Sequence, residues 1–148
     1  MPMTDDELRD RINQRPPATA HLLNMKALAV DSAAGTVRMQ FDIGEGFSNP
    51  NGTVQGGIVA AMLDDAAAYS AIAKSGRKIF VPTLEMKVSF FRPVMMGRLY
   101  ADGRCVKLGR TIAYMEADLS NEDDVLLARL SATGAPRDLE NPKLVDRK

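Results

Sequence analysis

Two adjacent carboxylates, Asp64 and Asp65, stand in the middle of the most apolar stretch of the chain, Ile58 to Ala73, where almost every other residue is Ala, Leu, Met, Val or Ile. No Lys or Arg lies among these residues to pair with them. A buried carboxylate without a partner is costly or has a raised pKa. Asp64 and Asp65 are therefore candidates for chemistry, as a general base toward water or a nucleophile toward an activated acyl group. Just upstream, Gln55-Gly56-Gly57 presents backbone N–H groups without side-chain bulk where the helix begins. Helix starts leave amides unpaired at the positive end of the dipole, which suits an oxyanion. The plainer reading is a tight entry turn. Asn49 could orient a water or a carbonyl through its amide, although spacing alone favours an ordinary Asn-Pro turn.

Spacing decides how these parts could cooperate. Gly56 and Asp64 are eight residues apart, roughly 12 Å along a helix axis. One acyl carbon cannot touch both, so a site using both draws them from two chains. Two such helices packed antiparallel across a two-fold axis would bring each N-terminus near the other's aspartate. Asp64 and Asp65 lie about 100° apart around the helix, so only one of them faces a given pocket.

The helix that carries the acids is apolar nearly all round and is expected inside a fold. Sixteen or so apolar residues broken by two carboxylates fall short of a membrane span. Before it, Thr4-Asp5-Asp6-Glu7 has the pattern of a capping box, opening a short helix that Pro16-Pro17 stop. Met25 to Val30 and Thr36 to Asp42 read as two strands joined around Ala33-Ala34-Gly35. After Ser75-Gly76, Lys78 to Arg92 reads as one long strand, with Leu84, Met86, Val88 and Phe90 on the face opposite Thr83, Glu85 and Lys87. Arg98 to Leu108, Thr111 to Leu119 and Val125 to Thr133 complete the set, with Asn121-Glu122-Asp123-Asp124 as a hairpin loop. Such short connections need antiparallel pairing. The prediction is an α+β domain in which an antiparallel sheet of five to six strands wraps one long helix. Residues 1–24 form an N-terminal helical segment, 25–135 the domain proper, and 136–148 a charged, loosely held tail.

Composition narrows the chemistry. The chain has 148 residues, 45% of them hydrophobic and 26% charged, which suits one soluble domain. Net charge is zero and no dense Lys/Arg cluster exists, which argues against a nucleic-acid partner. With one histidine, His21, and one cysteine, Cys105, thiolate or imidazole zinc sites lack ligands and no intrachain disulfide can form. His21, in the helical turn Ala18-Thr-Ala-His-Leu-Leu, takes a structural reading. No metal and no separate cofactor is expected. The polar N-terminus predicts the cytoplasm, with no membrane association.

Asn49, Gly52, Gln55-Gly56-Gly57, Asp64 and Phe91-Arg92-Pro93 together resemble the PaaI-like branch of the hotdog-fold acyl-CoA thioesterases. That family's pattern is Asn, a glycine three residues on, His-Gly-Gly opening a helix, and an acid seven residues past the second glycine. Asn49 to Gly52 and Gly57 to Asp64 keep that spacing. The strands around Leu84 to Pro93, Gly109-Arg110 and Leu127 to Thr133 are also similar. The resemblance implies a hotdog fold dimerising into a continuous sheet, as a homodimer or homotetramer, and hydrolysis of a small or medium acyl-CoA to free acid and CoA. It makes Asp64 the catalytic base or nucleophile and Gly56 the oxyanion donor. Asn49 would position the water or carbonyl, and Thr83 would be a hydroxyl near the acid. The acyl group would lie between protomers against Met62 and Tyr69, and Arg92, Lys107 and Arg110 are candidates for the CoA phosphates. Gln55 departs from the pattern: its amide can hydrogen-bond but cannot carry a proton near neutral pH. Ala68 likewise lacks the hydroxyl of some relatives. A non-catalytic acyl-CoA binding or sensing protein on the same fold is the alternative. Hotdog hydratases and dehydratases rank lower because no histidine lies near the motif.

Overall fold

The computed structural model describes residues 3–140. The N-terminal segment folds as α1 (Asp5–Gln14) and α2 (Ala18–Leu22). The capping box forms in full: Thr4 accepts from the Glu7 N–H, and the Glu7 carboxylate accepts from the Thr4 N–H at 2.8 Å. Two strands follow, β1 (Lys26–Asp31) and β2 (Thr36–Ile43), then α3 (Gly56–Ser75). After α3 come β3 (Ile79–Phe80), β4 (Thr83–Phe90), β5 (Gly97–Leu108), β6 (Ala113–Ser120), β7 (Leu126–Gly134) and β8 (Arg137–Asp138). Six strands form one antiparallel sheet in the order β1-β2-β5-β6-β7-β4, wrapped around α3. This is the hotdog arrangement.

The strand alternation read from sequence sets the core. Val37, Met39 and Phe41 of β2, and Leu99, Ala101, Gly103 and Cys105 of β5, are buried on the face toward α3. Opposite them Val59, Met62, Leu63, Ala66, Ala67 and Ala71 of the helix are buried. At 20 residues α3 is longer than expected, and by length and composition it would pass as a membrane-crossing helix. Its buried face instead rests on the sheet. The approach is tight at one point, where a Cβ on Gly103 would lie 2.1 Å from the Ala66 carbonyl oxygen.

The stretch Lys78 to Arg92 is not one strand. Val81-Pro82 interrupt it, because a proline offers no N–H to a ladder. The two-residue β3 pairs with β8, and only β4 joins the main sheet. β4 is an edge strand, so Leu84, Met86 and Phe90, expected to pack inward, are about half exposed. At the other edge α1 covers β1. There the Asn13 side chain bonds both the N–H and the carbonyl of Ala27, at 2.8 and 3.0 Å, and so takes the place of a neighbouring strand. The supposed tail begins with β8; its residues 141–148 lie outside the described residues.

The outer face of the sheet is a ladder of paired charges: Arg38–Asp102 at 3.0 Å, Arg104–Glu116 at 2.5 Å and Arg129–Asp118 at 2.6 Å. Such exposed pairs contribute little each. Their consequence is that these arginines are already engaged.

Gly103→Ala must push α3 off β5, and the expected loss of stability is about 1–3 kcal/mol. Urea unfolding checks it; a midpoint unchanged from wild type would mean that the helix does not rest on the strand there.

Candidate active site

The acid at position 64 is held from β4. The Thr83 hydroxyl donates to Asp64 Oδ1 at 2.6 Å, and both residues are half-buried. Regular alternation would place Thr83 outward with Glu85. A bulge prevents this: Thr83 pairs with Gly134 and Glu85 with Thr133, so two steps on β4 match one on β7. Thr83 therefore shares the helix-facing side with Met86 and Val88, whose partners Ala132 and Leu130 are core residues. The break at Pro82 and the bulge after it are what aim the hydroxyl at the helix.

Asp65 is placed differently. It is half-buried and has no hydrogen-bond partner among the described residues. Burial, and then the neighbouring Asp64 charge, push its pKa up to about 6. Tyr69, one turn further on, is also raised, by burial and then by the charge of Asp65. Met62, expected to line an acyl pocket, is wholly buried in the core. The half-buried face of α3 is lined instead by Ala61, Ala68, Tyr69 and Ile72, with Asp65 among them and Asp64 at its edge.

At the start of α3, Gln55 is the N-cap, and its side-chain oxygen accepts from the Ile58 N–H at 3.2 Å. The Ile58 and Val59 amides also reach the Gln55 carbonyl. Gly56 and Gly57 N–H are left without partners among the described residues. A Cβ on Gly56 would lie 3.4 Å from the Phe90 ring, so the end of β4 flanks the helix start. Asn49 is committed to its own loop. Its Oδ1 accepts from the Asn51 and Thr53 N–H groups, and its Nδ2 donates to Thr53 Oγ1 at 2.8 Å. Asn49, Thr53, Gly56 and Phe90 border an open cleft of about 450 Å³ that also includes Val59, Phe91 and Arg92.

Within one protomer the candidate parts thus fall into two groups. Asn49, Gln55, Gly56 and Arg92 lie at one end, Asp64 and Thr83 at the other. Register places Lys107 and Arg110 with the second group, since Leu108 aligns through Ala113 and Gly134 with Thr83. None of the three basic residues has a carboxylate partner among the described residues; Arg92 donates to the Leu126 carbonyl at 2.7 Å. The role of Phe90 beside Gly56 went unread because its alternation suggested a core residue.

The profile of the thioesterase superfamily matches residues 51–128, the span from the Asn49 loop through α3 and into β7. The chain belongs to the thioesterase superfamily. A phenylacetic acid degradation-related protein from Ralstonia eutropha JMP134 shares 34% identity, over 86% of this chain and 96% of that one, with a TM-score of 0.78. Human acyl-coenzyme A thioesterase 13 is 24% identical over 98 residues, 66% of this chain and 69% of its own. A Streptococcus mutans UA159 protein, solved bound to acetyl CoA, shares the fold at 21% identity and a TM-score of 0.70, over 78% of this chain and 90% of that one. As in other members of the thioesterase superfamily, the chemistry of this chain is thioester hydrolysis.

The raised pKa of Asp65 has a consequence for stability. An acid with a higher pKa folded than unfolded binds more protons in the native state. Its contribution is complete below about pH 4 and is lost as pH rises through about 6. Asp65→Asn should therefore match the wild type at pH 4 and exceed it at pH 8 by on the order of 2 kcal/mol, read from urea unfolding at both pH values. Equal stability at pH 8 would show that Asp65 ionises without strain.

Proposed function

We propose that the domain hydrolyses the thioesters of small or medium acyl groups, aryl or aliphatic, with CoA, in sites each shared by two protomers. The observation that carries the reading is the 2.6 Å hydrogen bond by which Thr83 fixes Asp64 on a half-buried helix face. A carboxylate so held is an acceptor aimed at a site rather than a solvated charge. Asp64 takes a proton from water as the water oxygen attacks the thioester carbonyl, or attacks that carbon itself to give an acyl–aspartyl anhydride that water then cleaves to the free acid. The oxyanion of either attack rests on the Gly56 N–H, and collapse of the tetrahedral centre expels the CoA thiolate. Asn49 braces the loop that delivers Gly56, and Gln55 caps the helix while leaving that amide free.

Two features support the shared site. Gly56 and Asp64 are roughly 12 Å apart along α3, too far for one carbonyl. β4 is the uncovered edge of the sheet and exposes Leu84, Met86 and Phe90. Antiparallel pairing of β4 with its twin lays the Thr83 end of one strand beside the Phe90 end of the other, and Phe90 marks where Gly56 sits. The same operation carries Lys107 and Arg110 toward Arg92 of the second copy, a set of cations suited to the CoA phosphates. Human acyl-coenzyme A thioesterase 13 and the acetyl-CoA-bound neighbour support CoA as the carrier.

Asp64→Asn should lower kcat by at least about tenfold while leaving the unfolding midpoint near wild type, assayed as release of free CoA thiol. Undiminished turnover would remove Asp64 from the reaction, and tight acyl-CoA binding without turnover in the wild type would favour a sensor. Gly56→Pro deletes one N–H at the first helical position, where proline is tolerated, and should be similarly inactive yet folded. Mixing the two inactive variants under conditions of subunit exchange should restore activity, because a heterodimer contains one site with neither defect. No recovery despite demonstrated exchange would mean that both groups act within one chain.

A further inference from the structure

A groove of about 250 Å³ runs between α1 and the C-terminal half of α3, away from the β4 edge. Its floor is apolar, made by Leu8 and Ile12 of α1 with Tyr69 and Ile72 of α3. Its rim is cationic. Arg11 and Arg15 stand one helical turn apart on the α1 side, both exposed, and neither has a carboxylate partner among the described residues. On the far wall the charge is already answered, since Arg77 pairs with Asp138 and Lys78 lies 3.4 Å from Glu140. All of α1 lies outside residues 51–128, the part matched by the superfamily profile.

We infer that this groove binds a short amphipathic carboxylate, the chemical class released by thioester hydrolysis, with its tail on the apolar floor and its carboxylate at Arg11 and Arg15. Both guanidinium groups are free of carboxylate partners among the described residues, and guanidinium is the group best matched to a carboxylate. The volume falls just below the roughly 300 Å³ at which drug-sized sites begin, which suits a short chain. Tyr69 and Ile72 also belong to the half-buried face of α3 that carries Asp64, but Arg11 and Arg15 take no part in the hydrolysis proposed above, so their replacement tests this site apart from it.

The test uses the full chain with labelled isoleucine and valine methyls, titrated with octanoate and, separately, with 1-octanol. Saturable octanoate shifts at Ile12 and Ile72 are expected, with affinity at least about fivefold weaker in the Arg11→Gln/Arg15→Gln double variant and at least about fivefold weaker for octanol on the wild type. Hydrolysis by the double variant without octanoate should equal wild type. The inference is overturned if octanoate perturbs only the cleft beside Val59, binds the double variant as well as the wild type, or is matched by octanol. A fall in the double variant's basal hydrolysis also overturns it, by merging the groove with the catalytic site.

Discussion

A negative charge has to be kept on a helix that is otherwise apolar, and the single hydroxyl donated by Thr83 to Asp64 is what makes this possible. At 2.6 Å the bond is in the range of charge-assisted O–H···O⁻ contacts. It depends on irregularity in a strand. Without the interruption at Pro82 and the extra residue after Thr83, the hydroxyl would face away from the helix and Asp64 would be as poorly satisfied as its neighbour Asp65. The two acids are adjacent in sequence and opposite in circumstance, one hydrogen-bonded and the other merely desolvated. Environments that separate two carboxylates in this way are a common means of giving them different tasks.

The helix start follows a similar logic of partial satisfaction. Gln55 uses its side-chain oxygen on Ile58 and its carbonyl on Ile58 and Val59, so the deeper amides of the first turn are occupied. What remains is a pair of glycine amides, of which that of Gly56 lies at an open cleft. A cap that satisfied all of them would stabilise the helix further and leave nothing for the oxyanion proposed above.

Much of this arrangement was legible because burial imposes a period. Val37, Met39 and Phe41 alternate with polar residues, and β2 is where that pattern puts it; α3 is apolar on nearly all sides and is wrapped as such a helix must be. The capping box at Thr4 was equally plain. Reading failed where the chain leaves a regular period. Leu84 to Phe90 alternates cleanly, yet it is an edge strand, and alternation does not say whether anything covers the apolar face. The inward turn of Thr83 rests on a bulge, which has no local sequence mark beyond the proline before it. Met62 was expected at a pocket, but it lies on the same side of α3 as Val59, Ala66 and Ala73, and that side is committed to the core. The groove at α1 was unreadable for a different reason, since its walls come from segments more than fifty residues apart.

The two edges of the sheet are unequal. One is closed by an asparagine amide that imitates a strand, and the other is bare and greasy. A sheet with two bare edges could add copies without limit. Of the two edges of this six-stranded sheet only β4 is left open among the described residues, so a copy added there, as proposed above, would itself offer only its closed edge: Asn13 is placed to favour a closed pair over a growing fibre.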